Sequence, residues 1–318
     1  MNTTTLAFGP VPSRRLGQSL GINNIPPKFC SYSCVYCQVG RTGQTEIEPR
    51  AFFRPEEIRR AVTARVEAVR QAGERIDYLT FVPDGEPTLD ANLGVAIDLL
   101  RPLGIPIAVI SNGSLLWRED VRERVAKADW VSLKVDTVDE TLWRRINRPD
   151  AALSLPLILD GMLRFAERFD GELATETMLV AGINDHPESV AAVADFVARL
   201  KPDIAYLAIP IRPPAESNVR SPSEETIVQA YELFRTKLEN VECLTGYEGD
   251  TFPCTGDAES DLLSITAVHP MREESVRQFL TNAGLDEAFV EGLVAQGKLK
   301  KVEFAGKRFF VRRGFGSD

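Results

Sequence analysis

Residues 106–136, PIAVISNGSLLWREDVRERVAKADWVSLKVD, decide the fold. PIAVIS (106–111) is short and almost wholly apolar, the pattern of a strand covered on both faces. SLLWREDVRERVAKA (114–128) follows with apolar residues at helical spacing. DWVSLKVD (129–136) returns to a strand. Short apolar strands, each followed by a helix, indicate a parallel sheet covered by helices. Within the last strand, Ser132, Lys134 and Asp136 alternate with Val131, Leu133 and Val135. Period two puts the three polar side chains on one face. The apolar set packs under the helices. The polar set lines an interior that must hold something charged, because an unpaired buried lysine is costly. A Lys134–Asp136 pair that satisfies only itself is the alternative.

The same rhythm runs outward in both directions. RPEEIRRAVTARVEAVRQAG (54–73) is helical, with Pro55 at its start and Gly73 at its end. IDYLTFVP (76–83), LATETMLVAG (173–182) and DIAYLAIPI (203–211) read as strands. ANLGVAIDLLRPLG (91–104), DHPESVAAVADFVARL (185–200) and SPSEETIVQAYELFRTKL (221–238) read as helices. Start signals are expected at Thr137 with Glu140, at Asp185 with Glu188, and at Ser221 with Glu224. A first strand at SLGINNIP (19–26) completes six βα units. That is too few for an eight-unit barrel and suits a partial (β/α)6 TIM-type barrel or an open doubly wound sheet. In either α/β arrangement, function gathers at the C-terminal ends of the strands.

Beyond residue 240 the pattern changes. Two helical stretches (261–284 and 285–299) precede KKVEFAGKRFFVRR, where alternating runs flank Ala305-Gly306, a hairpin signal. Helices followed by a hairpin resemble a small winged-helix module. The expected division is 1–256 and 257–318.

Composition sets the broad class. The 318 residues are 44% hydrophobic and 26% charged, with a net charge of −9. Such a body is not built to embrace nucleic acid over its whole surface. The amino-terminal stretch has no apolar core behind a basic start, and no apolar run approaches the ~18 residues that span a bilayer. A cytoplasmic location and no membrane partner are expected. Thiols stay reduced there, so clustered cysteines read as metal ligands.

Three of the five cysteines fall in CSYSCVYC (30–37). Three thiolates, Cys30, Cys34 and Cys37, suit a [4Fe–4S] cluster with its fourth iron left open to an exogenous ligand. A zinc site completed by Cys243, Cys254 or a histidine is the alternative. Cys243 and Cys254 otherwise read as free structural cysteines. DGEPT (84–88) follows the strand 76–83 directly. Gly85 there lets backbone approach closely and Pro87 stiffens the turn. SNG (111–113) closes the next strand, and Asn-Gly is also an ordinary turn pair. IPIRPPAESNVR (209–220) places Arg212 and Arg220 in a polar loop after the sixth strand.

Cys-x3-Cys-x2-Cys with an aromatic, Tyr36, before the last cysteine resembles the signature of the radical S-adenosylmethionine (SAM) superfamily. Several motifs in order extend that resemblance over about residues 16–240. Gly85-Glu86-Pro87 resembles the family's Gly-Gly-Glu motif, with Asp84 where the first glycine would stand. The resemblance implies that Glu86, with backbone around Gly85, holds the SAM amino group. It implies that Ser111, Asn112, Lys134 and Asp136 hold its carboxylate and ribose, and that Val180, with Gly182, covers the adenine. The implied activity is reductive cleavage of SAM and hydrogen abstraction from a substrate, fed by a low-potential donor such as flavodoxin or ferredoxin. The lead-in GPVPSRRLGQSLGINNIPPKF is similar to a branch near the tRNA wyosine-forming enzymes. Those carry a second cluster on upstream cysteines, and no cysteine precedes Cys30 here. The last 21 residues mix cations with Phe304, Phe309, Phe310 and Phe315, which suits an RNA strand or an acidic peptide; a solvated strand over a small core is the alternative. A non-catalytic zinc or iron–sulfur protein with a nucleic-acid module is the competing class.

Overall fold

The computed structural model describes residues 5–246, 252 and 257–312. Its first part follows β1 (Ala7–Ser13), β2 (Gly17–Ile22), α1 (Pro55–Gln71), β3 (Tyr78–Phe81), α2 (Leu93–Leu100), β4 (Ile107–Ser111), α3 (Glu119–Val125) and β5 (Trp130–Lys134). It continues through α4 (Glu140–Ile146), α5 (Leu155–Ala166), β6 (Glu172–Met178), α6 (Pro187–Leu200), β7 (Ile204–Ala208), α7 (Glu224–Arg235) and β8 (Val241–Leu244). The eight strands lie side by side in chain order, β1 antiparallel to β2 and all later neighbours parallel. The sheet curls into an open half-barrel.

The six expected βα units are present, and the two edge strands were not anticipated. β1 carries Pro10 and Pro12 and slips register between Phe8 and Val11. Prolines without an N–H belong on such an edge. β8 is four residues long and follows α7 without a turn motif.

Val131, Leu133 and Val135 are buried against the helices, as the alternation predicts. The inner face has two layers. Low in the lumen, Leu16, Ala108, Trp130, Ala174, Tyr206, Ala208 and Leu244 form an apolar floor. Above it stand charged side chains from β5 and β6.

The caps differ in detail from expectation. Asp139, not Thr137, receives the Leu142 N–H at the start of α4, while Thr137 Oγ1 receives that of Asp139. Asp185 accepts from Gly182 N instead of capping α6. Ser223 caps α7, and Ser221 donates to the Pro210 carbonyl. At α4 and α7 a polar residue two positions further on takes the cap, and α6 starts with no side-chain cap.

The second part runs α8 (Ala258–Val268), β9 (Met271–Arg272), α9 (Glu273–Asn282), α10 (Glu287–Ala295), β10 (Leu299–Phe304) and β11 (Lys307–Arg312). Pro270 splits the single helical stretch expected over 261–284. The Ala305-Gly306 hairpin forms as predicted, both turn residues at positive φ. β11 also pairs with β9. This part shares an apolar core with β1: Phe8 and Val11 pack with Leu262, Ile265 and Phe310. A buried Arg65–Asp261 ion pair of 2.6 Å ties α8 to α1.

Candidate active site at the barrel mouth

The cysteine loop follows β2 and is stapled at three places, the turn after β3, the end of α4 and the loop after β7. Its first anchor is the DGEPT turn. Phe29 bridges Gly85, and Phe29 O receives the Glu86 N–H at 2.9 Å. A Cβ on residue 85 would lie 2.0 Å from that oxygen, so glycine is required by this backbone approach. The second anchor is the end of α4, where Ser33 N and Val35 N donate to the carbonyls of Asn147 and Ile146. Buried Tyr32 accepts from Trp143 Nε1 at 3.1 Å. The third is the loop after β7, where Glu216 N donates to Val35 O and its carboxylate pairs with Arg41 and Arg148.

Glu86 is 1% exposed. Oε1 accepts from Thr88 N, Thr88 Oγ1 and Ser111 Oγ, and Oε2 accepts from Asn112 N at 2.8 Å. Burial pushes its carboxyl up, and these donors partly offset the rise. Asn112 then turns its Nδ2 to Ser31 Oγ (2.9 Å) and to Cys30 Sγ (3.7 Å). Glu86, Ser111 and Asn112 are therefore one network whose tip reaches a cysteine sulfur. Pro87 opens the short turn 87–89, and its carbonyl receives Asn24 Nδ2.

Asp136 organises the opposite wall. It accepts from Tyr36 Oη, from Asn147 Nδ2 at 2.7 Å and from Met178 N at 2.9 Å. Asn147 Nδ2 also lies 3.4 Å from Cys34 Sγ. Lys134 Nζ sits 4.8 Å from the Tyr36 ring centroid, 3.7 Å from Asp136 and 2.8 Å from Glu176. The Lys134–Asp136 pair read from the strand is thus the longer contact, and Glu176 is the principal partner. Glu176 also pairs with Arg15 from the β1–β2 turn. Burial would raise its carboxyl, but Lys134 and then Arg15 outweigh that and hold it down at about 2. Burial pulls Lys134 down, and Asp136 and Glu176 more than reverse this. Val180 is fully buried against Val35, Ile146 and Val219, behind the cysteine loop.

Of the residues singled out from sequence, Tyr36, Gly85, Glu86, Pro87, Ser111, Asn112, Lys134 and Asp136 gather around the loop of Cys30, Cys34 and Cys37. Arg220 stays within its own loop, bonded to the Ser217 and Val219 carbonyls, whereas Arg212 turns inward to Gln38 Oε1 at 3.1 Å. Sequence reasoning missed Asn147, Glu176 and Arg15. Glu176 could have been found by pairing strands, since it lies opposite Lys134 in register. Cys243 lies on edge strand β8 and Cys254 falls outside the described residues.

The donor set fits an iron–sulfur cluster. Among the described residues no three His, Cys, Asp or Glu side chains converge to hold a single metal ion. Thiolates on a cubane each take a different iron and need not converge. Two side-chain amides aim at the sulfurs of Cys30 and Cys34, the kind of hydrogen bonding that tunes such clusters. Burial, then Glu86, pushes the Cys30 thiol well up. Burial, then Asp136, pushes Cys34 up to about 12, and burial also raises Cys37. Coordination to a cation deprotonates such thiols outright.

Residues 24–197 match the family model for the radical SAM superfamily. The chain belongs to the radical SAM superfamily. It is an enzyme of that class, and the family's enzymes use a [4Fe–4S] cluster and SAM and need a reductant. A UPF0026 protein of Methanocaldococcus jannaschii is 48% identical over 310 residues, covering 97% of this chain and 96% of the relative. A Brachyspira hyodysenteriae protein named GTPase Obg is 30% identical over 96% of this chain, which spans only 43% of that protein. The structure of TYW1 with a lysine-pyruvate adduct bound shares the radical SAM fold at a TM-score of 0.53 and 18% identity, over 69% of this chain and 74% of that one. No described helix of this radical SAM chain is long and apolar enough to cross a membrane.

Proposed function

We propose that Cys30, Cys34 and Cys37 hold a [4Fe–4S] cluster that leaves one iron for SAM, and that this chain abstracts a hydrogen atom from a substrate entering at the barrel mouth. The observation that carries the assignment is the pair of amides, Asn112 and Asn147, directed at two of the three sulfurs from opposite walls. Bound there, the cluster supplies the electron that splits the C5′–S bond of SAM.

The chain's own residues would do the rest. Gly85 and Glu86 place the turn that faces the SAM amino group; Glu86 keeps acceptor capacity on Oε2, which has one donor. Lys134, charged in its buried position, is the cation for the SAM carboxylate. Asp136, Ser111 and Asn112 offer polar contacts for the ribose. Val180 supports the adenine side through the packing of Val35 and Tyr36 rather than by an exposed face. A low-potential donor such as flavodoxin or ferredoxin would feed the cluster.

We read residues 257–312 as a winged-helix-like module divided from the barrel near residue 256. The order helix, strand, helix, helix, hairpin supports this. Its role is at the mouth: His269 accepts from Arg212 Nη2 at 3.1 Å, and Arg312 lies close enough to Asp84 to favour its charged form. The hairpin fits an RNA strand or peptide less well than its composition suggests. Phe309 and Phe310 are buried, and Lys298, Lys301 and Arg308 pair with Glu259, Glu291 and Glu273.

The test is anaerobic reconstitution, iron analysis and incubation with SAM and a reductant. About four irons per chain and release of 5′-deoxyadenosine are expected. A colourless protein with one zinc and no SAM cleavage would refute the reading.

A further inference from the structure

Two of the three loop sulfurs receive a side-chain amide, Asn112 at Cys30 and Asn147 at Cys34. The third, Cys37, has a charge beside it instead. Lys28, two residues before the first cysteine, has φ +68, a left-handed backbone that lysine rarely adopts. Its N–H donates to the Asp84 carbonyl at 2.7 Å, and its Nζ lies 3.4 Å from Asp84 Oδ1. The same Nζ lies over the turn that follows Cys37. A Cβ on Gly40 would sit 3.5 Å from it, and Gly40 N donates to Cys37 O at 3.2 Å. The ammonium is buried, and among the described residues it makes no hydrogen bond besides the ion pair with Asp84. Strained backbone of this kind persists only where the surroundings over-determine it.

Of the charges around the Cys37 sulfur, Lys28 acts most strongly, ahead of Asp84, which opposes it, and of Lys134 from β5. The ion pair is thus oriented, with its cationic end toward the cysteine. The other two cysteines have an anion as their leading charged neighbour, Glu86 at Cys30 and Asp136 at Cys34. A cation therefore leads at one corner of the loop alone. Asp84 stands where the motif that DGEPT resembles has its first glycine. Glycine there could supply the carbonyl that holds Lys28 N but not the carboxylate that holds Lys28 Nζ. Reduction adds a negative charge to an iron–sulfur cluster, so a fixed cation beside it favours the reduced form, and local charge is one of the terms that set such potentials.

We propose that Lys28, held by Asp84, raises the reduction potential of the cluster from its Cys37 corner, and so governs how readily the cluster takes up the electron that cleaves SAM. The proposal rests on the radical SAM reading above. Lys28 acts through the cluster and not by touching substrate. Asp84 positions the ammonium and at the same time limits its effect.

The test is a redox titration of the reconstituted protein without SAM, followed by the paramagnetic resonance of the reduced cluster. Lys28→Gln removes the charge and meets the same backbone cost at positive φ. Its potential should fall until reduction is about tenfold less favourable, about 59 mV for one electron. One charge acting across roughly 10 Å at an effective dielectric constant of about 20 has an effect of that order. Lys28→Arg keeps the charge and should stay near the wild-type potential. Asp84→Asn keeps the carbonyl anchor and removes the opposing carboxylate, so its potential should rise. Should Lys28→Gln not hold about four irons per chain, Asp84→Asn decides alone. Unchanged potentials overturn the proposal, and so do shifts of one sign in Lys28→Gln and Asp84→Asn, which a residue that merely shapes the loop would give. A wild-type potential in Lys28→Gln with weaker SAM binding by calorimetry also overturns it, and would assign the ammonium to the carboxylate of SAM. Formation of 5′-deoxyadenosine by the wild type reports separately on the radical SAM reading; a wild type without a redox-active cluster overturns both.

Discussion

Glu176→Gln isolates the charge layer of the barrel. The carboxylate stands 2.8 Å from Lys134 Nζ and pairs with Arg15, with its side chain 11% exposed. Its carboxyl is held at about 2 against an ordinary 4.5. At about 1.4 kcal/mol per pH unit, that depression corresponds to roughly 3 kcal/mol favouring the ionised form in the fold. Little solvent screening reduces it at this exposure. Removing one partner of a buried pair costs about 3–5 kcal/mol, because the remaining cations stay buried. Glutamine should therefore lower stability by about 3 kcal/mol at pH 7, read by urea unfolding of metal-free protein in chloride buffer. Phosphate and acetate are left out, since an oxyanion could replace the lost charge. The pH dependence has a fixed sign. A depressed carboxyl contributes its full stability above pH 4.5 and loses it as pH falls through about 2. The difference between wild type and variant should be flat from pH 7 to about 5 and shrink below 4.5. A difference under about 1 kcal/mol at neutral pH, or one that does not narrow in acid, would refute the argument that this carboxylate is held ionised by its neighbours.

Three further outcomes are expected. Cys34→Ala should abolish iron binding and SAM cleavage together, whereas Cys243→Ser keeps about four irons per chain; iron analysis and detection of 5′-deoxyadenosine check both. Gly85→Ala should cost several kcal/mol or prevent folding, because its Cβ meets Phe29 O at 2.0 Å; an unchanged melting temperature would show that the loop can move aside. Asn147→Ala should weaken SAM binding about tenfold by removing one of the three donors that hold Asp136, and the electronic spectrum of the cluster should shift as Cys34 loses its amide contact; calorimetric titration and optical spectra measure the two effects.

How much of this was legible beforehand differs residue by residue. Period two in DWVSLKVD placed Lys134 and Asp136 in the lumen, because alternation alone fixes which face a strand residue takes. The tight cysteine spacing marked the candidate metal loop for the same kind of reason: it is local. Glu176 escaped because LATETMLVAG shows one acidic residue in a strand with no sign of which lysine lies opposite, and that depends on the pairing of β5 with β6. Asn147 follows a helix end and carries no motif; its role arises only when the cysteine loop packs on α4. The meaning of Gly85 was half visible. A close backbone approach was expected, and the structure shows one to Phe29. Strand β1 was hidden by its prolines, and with it the hairpin turn that delivers Arg15.

That turn links the two ends of the barrel. Arg14 reaches across to the Cys243 carbonyl on β8, while Arg15 enters the lumen beside Glu176. The hairpin thus spans the open side of the half-barrel and contributes to its charge layer. Its outer strand is in turn fixed by the C-terminal part, through Phe8 and Val11 in the shared core and through Arg65, which donates to Gly9 O at 2.6 Å while pairing with Asp261. Asp261 is 1% exposed, so separating the parts would strand a charge as well as expose apolar surface. The C-terminal part is thus tied to the barrel by charge as well as by apolar packing. His269 against Arg212 adds a further contact between the two parts, beside the loop after β7.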